Sequence, residues 1–143
     1  MSVRAILKTK GSRVVTVRQD TTIKNVVATL AAEKIGVVVV SDDGEAVSGI
    51  LSERDIMRGL SEHGSGLLDM KARDLMTRSF TPAKIDMPAL HVLDMMTQGR
   101  FRHMPVVDNG KLVGLVSIGD AVKARLDMLE NEAMHLKEYI GGR

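Results

Sequence analysis

Two short segments carry the same polar residues at the same spacing. Gly49–Asp55 reads Gly-Ile-Leu-Ser-Glu-Arg-Asp, and Gly114–Asp120 reads Gly-Leu-Val-Ser-Ile-Gly-Asp. Each segment follows a β-like run and precedes an amphipathic, helix-like run. The copies start at residues 49 and 114 of a 143-residue chain, 65 positions apart. A repeat of this size predicts two similar units packed against each other.

The Ser and Asp of each copy are compatible with two roles, helix capping and ligand binding. If Ser52 is a helix N-cap, Asp55 falls at the third helical position, and the pair resembles a capping box. Ser117 and Asp120 allow the same interpretation. Alternatively, the free N–H groups and positive dipole end of a helix start suit a phosphate, and a nearby carboxylate can accept hydrogen bonds from a ribose diol. The motif by itself leaves both interpretations open.

The segments around the motifs predict the order β-α-β-β-α in each half of the chain. In the first half we expect strands at 14–17, 37–40 and 46–51, with helices after Thr22 and from Ser52. In the second half the matching strands are expected at 79–81, 104–107 and 112–116, and Pro88 is expected to start the intervening helix. The polar, Gly-rich stretch 61–66 predicts the boundary between the halves.

Two of the predicted helices have apolar faces of particular interest. The helix from Ser52 is expected to turn Ile56, Met57 and Leu60 towards the core. The helix from Ile118 meets no helix breaker before Gly141-Gly142, and its apolar residues are spaced 4, 3, 4, 3 and 4 apart. That heptad-like seam consists of Val122, Leu126, Leu129, Ala133, Leu136 and Ile140. We expect it to pack on a second chain or back over its own module; the alternative is a solvated helix with chance spacing.

Composition narrows the class of protein. Hydrophobic residues make up 44% of the chain and aromatic residues only 2%, which argues against single-strand nucleic-acid binding by base stacking. The net charge of +2 is small and dispersed, so we expect no nucleic-acid partner. The absence of cysteine excludes a disulfide framework and thiol chemistry. No run is long and apolar enough for a membrane span or a signal peptide, so the expectation is a soluble, cytoplasmic protein.

No catalytic or metal-binding motif is recognisable in the sequence. The histidines have spacings that fit no metal site: His63, His91, His103 and His135. Phosphate-loop, dinucleotide-loop and nucleophile-elbow patterns are missing, so we expect no enzyme, no metal and no catalytic cofactor. Lys8, Lys10 and Arg13 could reach an entering phosphate, but a solvated edge is the favoured interpretation for them.

With Arg102-His-Met-Pro-Val-Val-Asp108 added to the two motifs, the sequence resembles a tandem pair of CBS domains, the Bateman module, over nearly its whole length. It is most similar to stand-alone bacterial two-CBS proteins. The resemblance implies an α+β fold of two β-α-β-β-α repeats packed by pseudo-two-fold symmetry. The expected units are residues 1–66, with the lead-in, and 67–143, with the extended C-terminal helix.

The resemblance also implies two clefts that bind AMP, ADP, ATP or an adenosyl compound, and sometimes NAD(H). Carried over to this sequence, Asp55 and Asp120 would hold ribose hydroxyls. The residues implied at the phosphates are Ser52, Arg54, Ser117, Arg102 and His103. The residues implied around the base are Ile35, Gly36, Val37, Phe80, Met104, Pro105 and Ile118.

The two implied clefts should differ. Ile35-Gly36-Val37 stands where the second unit has Phe101-Arg102-His103, which removes a cation and an imidazole from the first cleft. Gly119 stands where the first unit has Arg54. We therefore expect a non-catalytic, homodimeric regulatory module that binds an adenine nucleotide in unequal clefts and signals to an unknown effector protein. The alternative is a dimerisation scaffold that needs no ligand.

Overall fold

The computed structural model describes residues 1–141; Gly142 and Arg143, and with them half of the predicted Gly141-Gly142 helix stop, lie outside the described residues. The α-helices are α1 Val3–Lys10, α2 Ile23–Glu33, α3 Glu53–His63, α4 Ala72–Leu75, α5 Ala89–Gly99 and α6 Ile118–Gly141. The strands are β1 Thr16–Val17, β2 Val37–Val40, β3 Gly49–Ser52, β4 His103–Asp108 and β5 Lys111–Ser117. A 3-10 helix, Gly64–Asp69, follows α3.

The two units repeat one strand arrangement. In the first, β1 pairs in parallel with β2, which pairs antiparallel with β3. In the second, β4 and β5 form the matching hairpin around Asn109-Gly110, where both residues have positive φ, as a tight hairpin requires. The strand starts align with the motif serines in both units, as Val37 opposite Ser52 and His103 opposite Ser117.

The strand predicted at 79–81 is wrong. The parallel pairing in the second unit is a single bridge between Ala83 and Val106. Ala83 donates its N–H to the carbonyl of Pro105 at 2.8 Å and accepts from the N–H of Val107 at 3.0 Å. Pro82 has no N–H to contribute to a ladder, so regular pairing can begin only after it.

The apolar core of each unit is completed by a segment that precedes the other unit in the sequence. We call these two pieces, α1 and the segment around α4, the exchanged segments. Val3, Ile6 and Leu7 of α1 are buried in the core of the second unit. Leu67, Ala72 and Met76, around α4, are buried in the core of the first unit. Matching bridges attach the two segments, Ser2 with Pro88 and Lys71 with Thr22. These reciprocal attachments give the fold its pseudo-two-fold symmetry, and the unit boundary predicted at residues 66–67 stays a prediction.

The inner face predicted for α3 is wrong for two of its three residues. Met57 is 69% exposed and Leu60 is 53% exposed, while Asp55 and Gly59 are the buried residues of the helix. A Cβ on Gly59 would lie 2.7 Å from a methyl group of Leu75. Gly59 therefore lies where α3 approaches Leu75 most closely; of the three predicted residues Ile56 packs against the core, and Met57 and Leu60 lie outside.

The extended C-terminal helix is confirmed as the 24-residue α6. Ala121 and Ala124 pack it against the second unit. Every residue from Leu129 to Gly141 is exposed, which leaves the second half of the helix outside the module. No helix within residues 1–141 combines the length and apolar character needed to cross a membrane.

Candidate functional site

Each repeated motif forms a junction between a strand and a helix. The first junction, at the end of β3, has a full capping box: the Asp55 N–H donates to Ser52 Oγ at 3.3 Å, and the Ser52 N–H donates to Asp55 Oδ2 at 2.9 Å. In the second junction the Asp120 N–H donates to Ser117 Oγ at 3.1 Å and the Ser117 N–H to Asp120 Oδ2 at 2.9 Å. The capping interpretation is therefore confirmed in both copies.

A second backbone link brings each strand start beside its junction. The N–H of Glu53 donates to the carbonyl of Gly36 at 2.9 Å, and the N–H of Ile118 donates to the carbonyl of Arg102 at 2.8 Å. Three residues before each strand start, the C-cap residue of the preceding helix has the left-handed conformation: Lys34 after α2 and Arg100 after α5. The same backbone thus presents Gly36 at the first junction and Arg102 at the second.

The carboxylate of the first junction is fully occupied by the protein. Asp55 is only 6% exposed. Its Oδ2 accepts from the backbone N–H of Ser52 and from the Ser52 hydroxyl at 3.0 Å. Its Oδ1 accepts from the guanidinium of Arg58 and from the hydroxyl of Thr77 at 3.4 Å. Both oxygens are committed to neighbours within the chain, so a ligand would have to displace one of them.

The carboxylate of the second junction is more open. The Asp120 side chain is 22% exposed, and Lys10 Nζ donates to its Oδ2 at 2.6 Å. Lys10 also donates to the carbonyl of Leu115 at 3.0 Å. Within the described part of the chain, Oδ1 of Asp120 accepts no side-chain hydrogen bond. Burial raises the pKa of Asp120, but hydrogen bonds from Lys10 and Ser117 outweigh it, and the pKa lies below its ordinary value. The group is an anion at neutral pH.

His103 lies next to this carboxylate at the start of β4. Burial lowers the pKa of His103, and the positive charges of Lys10 and Arg102 lower it further; the negative charges of Asp120 and Glu53 oppose the shift without cancelling it. The imidazole is therefore neutral at pH 7, and one ring nitrogen can accept while the other donates. Arg102 itself is exposed.

The residues predicted around a base fall into two groups. Val37, Met104 and Pro105 are buried within strands, so they could meet a base only through backbone groups. Ile35 and Gly36 line an open groove of about 620 Å³ together with Glu53 and Ile56. Of the remaining predicted site residues, Arg54 and Ile118 are exposed in the first turns of α3 and α6, and Phe80 is half-buried in the segment between α4 and α5.

Sequence reasoning missed three side chains that contact the two carboxylates. Lys10 is exposed, as the solvated-edge interpretation expects, but its Nζ also donates to Asp120, which the sequence did not indicate. Arg58 and Thr77, which hold Asp55, were not singled out at all. Arg58 lies one helical turn after Asp55, at a spacing at which side chains meet, and that signal could have identified it. Lys10 and Thr77 reach their partners only through the exchanged segments, which leave no local signal.

No group of three or more potential metal ligands occurs among residues 1–141.

Comparison with known proteins gives a consistent family. A family model described as "CBS domain" matches twice, at residues 3–62 and 72–127. The CBS domain-containing protein CBSX3, mitochondrial, of Arabidopsis thaliana is 33% identical over 130 residues, which cover 86% of this chain and 62% of the relative. This chain thus spans less than two thirds of that relative's length.

Solved structures agree with the observed fold. A CBS-domain containing protein from Agrobacterium tumefaciens is 42% identical, with a TM-score of 0.83 over 87% of this chain and 99% of its own. A CBS domain protein from Pyrobaculum aerophilum complexed with AMP is 28% identical, with a TM-score of 0.73 over 84% of this chain and 89% of its own.

Proposed function

Because this chain belongs to the CBS-domain family and is a pair of CBS units of the regulatory, non-catalytic kind, we propose that it senses an adenine nucleotide at its second junction. The observation that carries the proposal is the state of Asp120, an ionised carboxylate beside Lys10 and His103, one oxygen of which accepts no side-chain hydrogen bond from residues 1–141. The relative complexed with AMP supports this class of ligand.

Asp120 has the chemistry needed to hold a ribose. A carboxylate can accept hydrogen bonds from both hydroxyls of a ribose diol, and hydrogen bonds to a charged group contribute about 1.5–3 kcal/mol each. Asp55 has the same position in the repeat, but Arg58, Thr77 and Ser52 already use its oxygens. We therefore assign the ribose to Asp120 and a structural role to Asp55.

The phosphate is assigned to the cations and the helix start around the second junction. Lys10 Nζ lies between Asp120 and the carbonyl of Leu115, where it can turn towards an entering phosphate. Arg102 is exposed beside it, and the positive end of α6 adds attraction for an anion. His103 can donate from its neutral ring. In the first unit Gly36 and Val37 stand where Arg102 and His103 stand here, which leaves that junction poorer in phosphate-binding groups.

Base recognition is assigned to the strand and helix residues that border this junction. The backbone of Met104, the carbonyl of Pro105, which already accepts one hydrogen bond from Ala83, and the 36%-exposed side chain of Ile118 lie nearest in sequence to the phosphate and ribose residues. AMP is the favoured ligand, and ADP, ATP and NAD(H) share its adenosine part. The exposed apolar side chains of α3 and α6 support self-association as a homodimer, through which the bound state would be passed to an effector protein.

A thermal melting screen tests the proposal. The protein is heated with AMP, ADP, ATP, NAD⁺, NADH or adenosine, and we expect at least AMP to raise the melting temperature, with a stabilisation of about 2.7 kcal/mol at 100 times Kd. If none of these compounds shifts melting at millimolar concentration, the ligand-independent scaffold replaces the sensor.

A charge variant tests the assignment of the phosphate. Lys10→Met should weaken AMP binding while leaving adenosine binding unchanged, since adenosine has no phosphate. Lys8→Met, an exposed lysine in the same last turn of α1, is the matched control and should change neither. An equal loss for AMP and adenosine in Lys10→Met would place Lys10 elsewhere than at the phosphate.

A further inference from the structure

We infer that α6 pairs with α6 of a second copy of this chain as a parallel, in-register coiled coil. The inference rests on the proposed self-association and adds its orientation and its contacts. The apolar seam of α6 is open along its length: Leu126 is 58% exposed, Leu136 61% and Ile140 60%. Such a row of exposed large apolar residues marks an interaction surface.

The seam lies on a different side of α6 from the one that packs on the module. Ala121 and Ala124 are buried against the second unit, whereas Val122 is 41% exposed and Leu129 43%. At 3.6 residues per turn, Val122 and Leu129 lie almost above one another, about a quarter of a turn from Ala121 and about two fifths of a turn from Ala124. A partner helix can therefore reach the seam without displacing the module.

The outer half of α6 has a physical need for such a partner. Leu129–Gly141 is exposed throughout. An isolated helix of this length is marginal in water, because most helical stability in proteins comes from packing of an apolar face. A second copy supplies an identical seam, and identical seams pair about a two-fold axis.

Charge complementarity selects the parallel arrangement. With Leu126, Ala133 and Ile140 at heptad position a and Val122, Leu129 and Leu136 at d, the g positions hold Arg125 and Glu132 and the e positions hold Glu130 and Lys137. In a parallel pair, each g residue faces the e residue five positions later on the other helix. Arg125 then faces Glu130 of the second copy, and Glu132 faces Lys137, so that each flanking pair has opposite charges.

The antiparallel arrangement of the same seam has the opposite property. Placing Leu126 opposite Leu136 of the second copy brings Lys123 towards Lys137. It also brings Glu130 towards Glu130 of the second copy, and Glu132 towards Glu132 of the second copy. Like charges at these flanking positions disfavour pairing. The apolar seam can thus pair in a parallel or an antiparallel alignment, and the flanking charges favour the parallel one.

The parallel arrangement couples the pair to the nucleotide site. Asp120 lies in the first turn of α6, and Val122, the first seam residue, follows two positions later. In a parallel pair both helix starts are at the same end, so the two proposed nucleotide sites flank the beginning of the coiled coil. A nucleotide that shifts or orders the start of α6 would thereby act on the contact between the copies.

Cysteine cross-linking tests the orientation, because the natural chain has no cysteine. Leu136→Cys occupies a d position and should form disulfide-linked dimers with itself when an oxidant is added. Glu138→Cys, on the far side of the helix, is the matched control and should remain uncross-linked. Cross-linking only in a mixture of Leu126→Cys and Leu136→Cys would show the antiparallel alignment and overturn the inference.

Charge exchange tests the flanking pairs, with sedimentation equilibrium as the readout. Glu132→Lys or Lys137→Glu alone should raise the dimer dissociation constant about tenfold, and the double variant should restore it. Glu138→Lys makes the same charge change away from the seam and should have no effect. A dimer indifferent to all of these changes would overturn the pairing of α6 while leaving self-association through another face.

A wild-type chain that remains monomeric at every concentration would overturn both the pairing and the proposed self-association. The melting shift with nucleotide is measured independently of mass, so it still decides whether the chain binds a ligand.

Discussion

The two strand–helix junctions share one backbone and use its carboxylate in opposite ways. At the first, Asp55 is buried and both of its oxygens accept hydrogen bonds from within the chain. At the second, Asp120 is partly exposed and paired with one lysine, and its Oδ1 accepts no side-chain hydrogen bond from the part of the chain that the structure describes. The capping hydrogen bonds are common to both, so the repeated Ser and Asp are explained by the fold, and the difference between the junctions by what surrounds them.

The surroundings come largely from the exchanged segments. Thr77, just after α4, reaches Asp55, and Lys10, at the end of α1, reaches Asp120. Each exchanged segment contacts only one of the two carboxylates, Thr77 contacting Asp55 and Lys10 contacting Asp120. A substitution in one segment therefore changes the hydrogen bonds of one carboxylate and leaves those of the other unchanged. The duplicated motif can therefore keep its helix cap while the two junctions diverge in function.

The largest effect should separate the two carboxylates by ligand affinity. Asp120→Ala removes the proposed ribose acceptor and should weaken AMP binding about 100-fold, equivalent to about 2.7 kcal/mol, because two hydrogen bonds to a charged group are lost. Isothermal titration calorimetry measures the change. Asp55→Ala, if it folds at the assay temperature, should bind AMP within about twofold of the wild type. Equal losses in the two variants would erase the distinction between the junctions.

The next effect is on the stability of the ligand-free protein, where we expect Asp55→Ala to lose more than Asp120→Ala. Asp55→Ala should lower the free energy of unfolding by about 2 kcal/mol, because the capping box loses its Asp55 half and the half-buried polar groups of Ser52 and Thr77 lose their acceptor. Asp120→Ala should cost about 1 kcal/mol, because it loses the hydrogen bond from the Ser117 N–H and the partly exposed ion pair with Lys10, while Ser117 still caps the helix. Urea denaturation followed by circular dichroism gives both values. A greater loss in Asp120→Ala would contradict the structural role assigned to Asp55.

Much of this comparison could be predicted from the sequence because it depends on local signals. The strand 37–40, the Asn109-Gly110 hairpin and the long final helix follow from short apolar runs, turn residues and periodicity. The spacing of the Ser–Asp pairs likewise predicts the helix caps. The inequality of the junctions was visible in Gly36 and Val37 against Arg102 and His103. What could not be predicted was long-range placement. The approach of Lys10 to Asp120 spans 110 positions and exists only because α1 enters the second core.

The close approach of α3 to its neighbour was hidden for the same reason. Helical spacing favoured Met57 and Leu60 as core residues, but the residue of α3 that approaches Leu75 is Gly59, where an added Cβ would lie 2.7 Å from a leucine methyl group. Periodicity assigns residues to a face and cannot say how near the next element lies. The smallest residue of α3, Gly59, therefore marks the point of closest approach to the neighbouring segment.

The smallest effect concerns His103, which has no counterpart at the first junction. Burial and the charge of Lys10 hold its pKa below the ordinary value of 6.5 in the folded state. As the pH is lowered through 6.5, the unfolded chain therefore takes up a proton before the folded chain does. The unfolded state binds more protons in this window. The free energy of unfolding should therefore decrease as the pH is lowered, until the pH passes the folded pKa.

His103→Gln should remove this part of the decline, since glutamine cannot titrate. The measurement is urea denaturation of the ligand-free protein at intervals between pH 7.5 and about pH 5. His91→Gln, on an exposed position of α5, is the matched control and should keep the wild-type slope. A His103→Gln variant with an unchanged slope would mean that His103 is as well solvated as a residue of the unfolded chain. The second junction would then lack the desolvated imidazole that distinguishes it from the first.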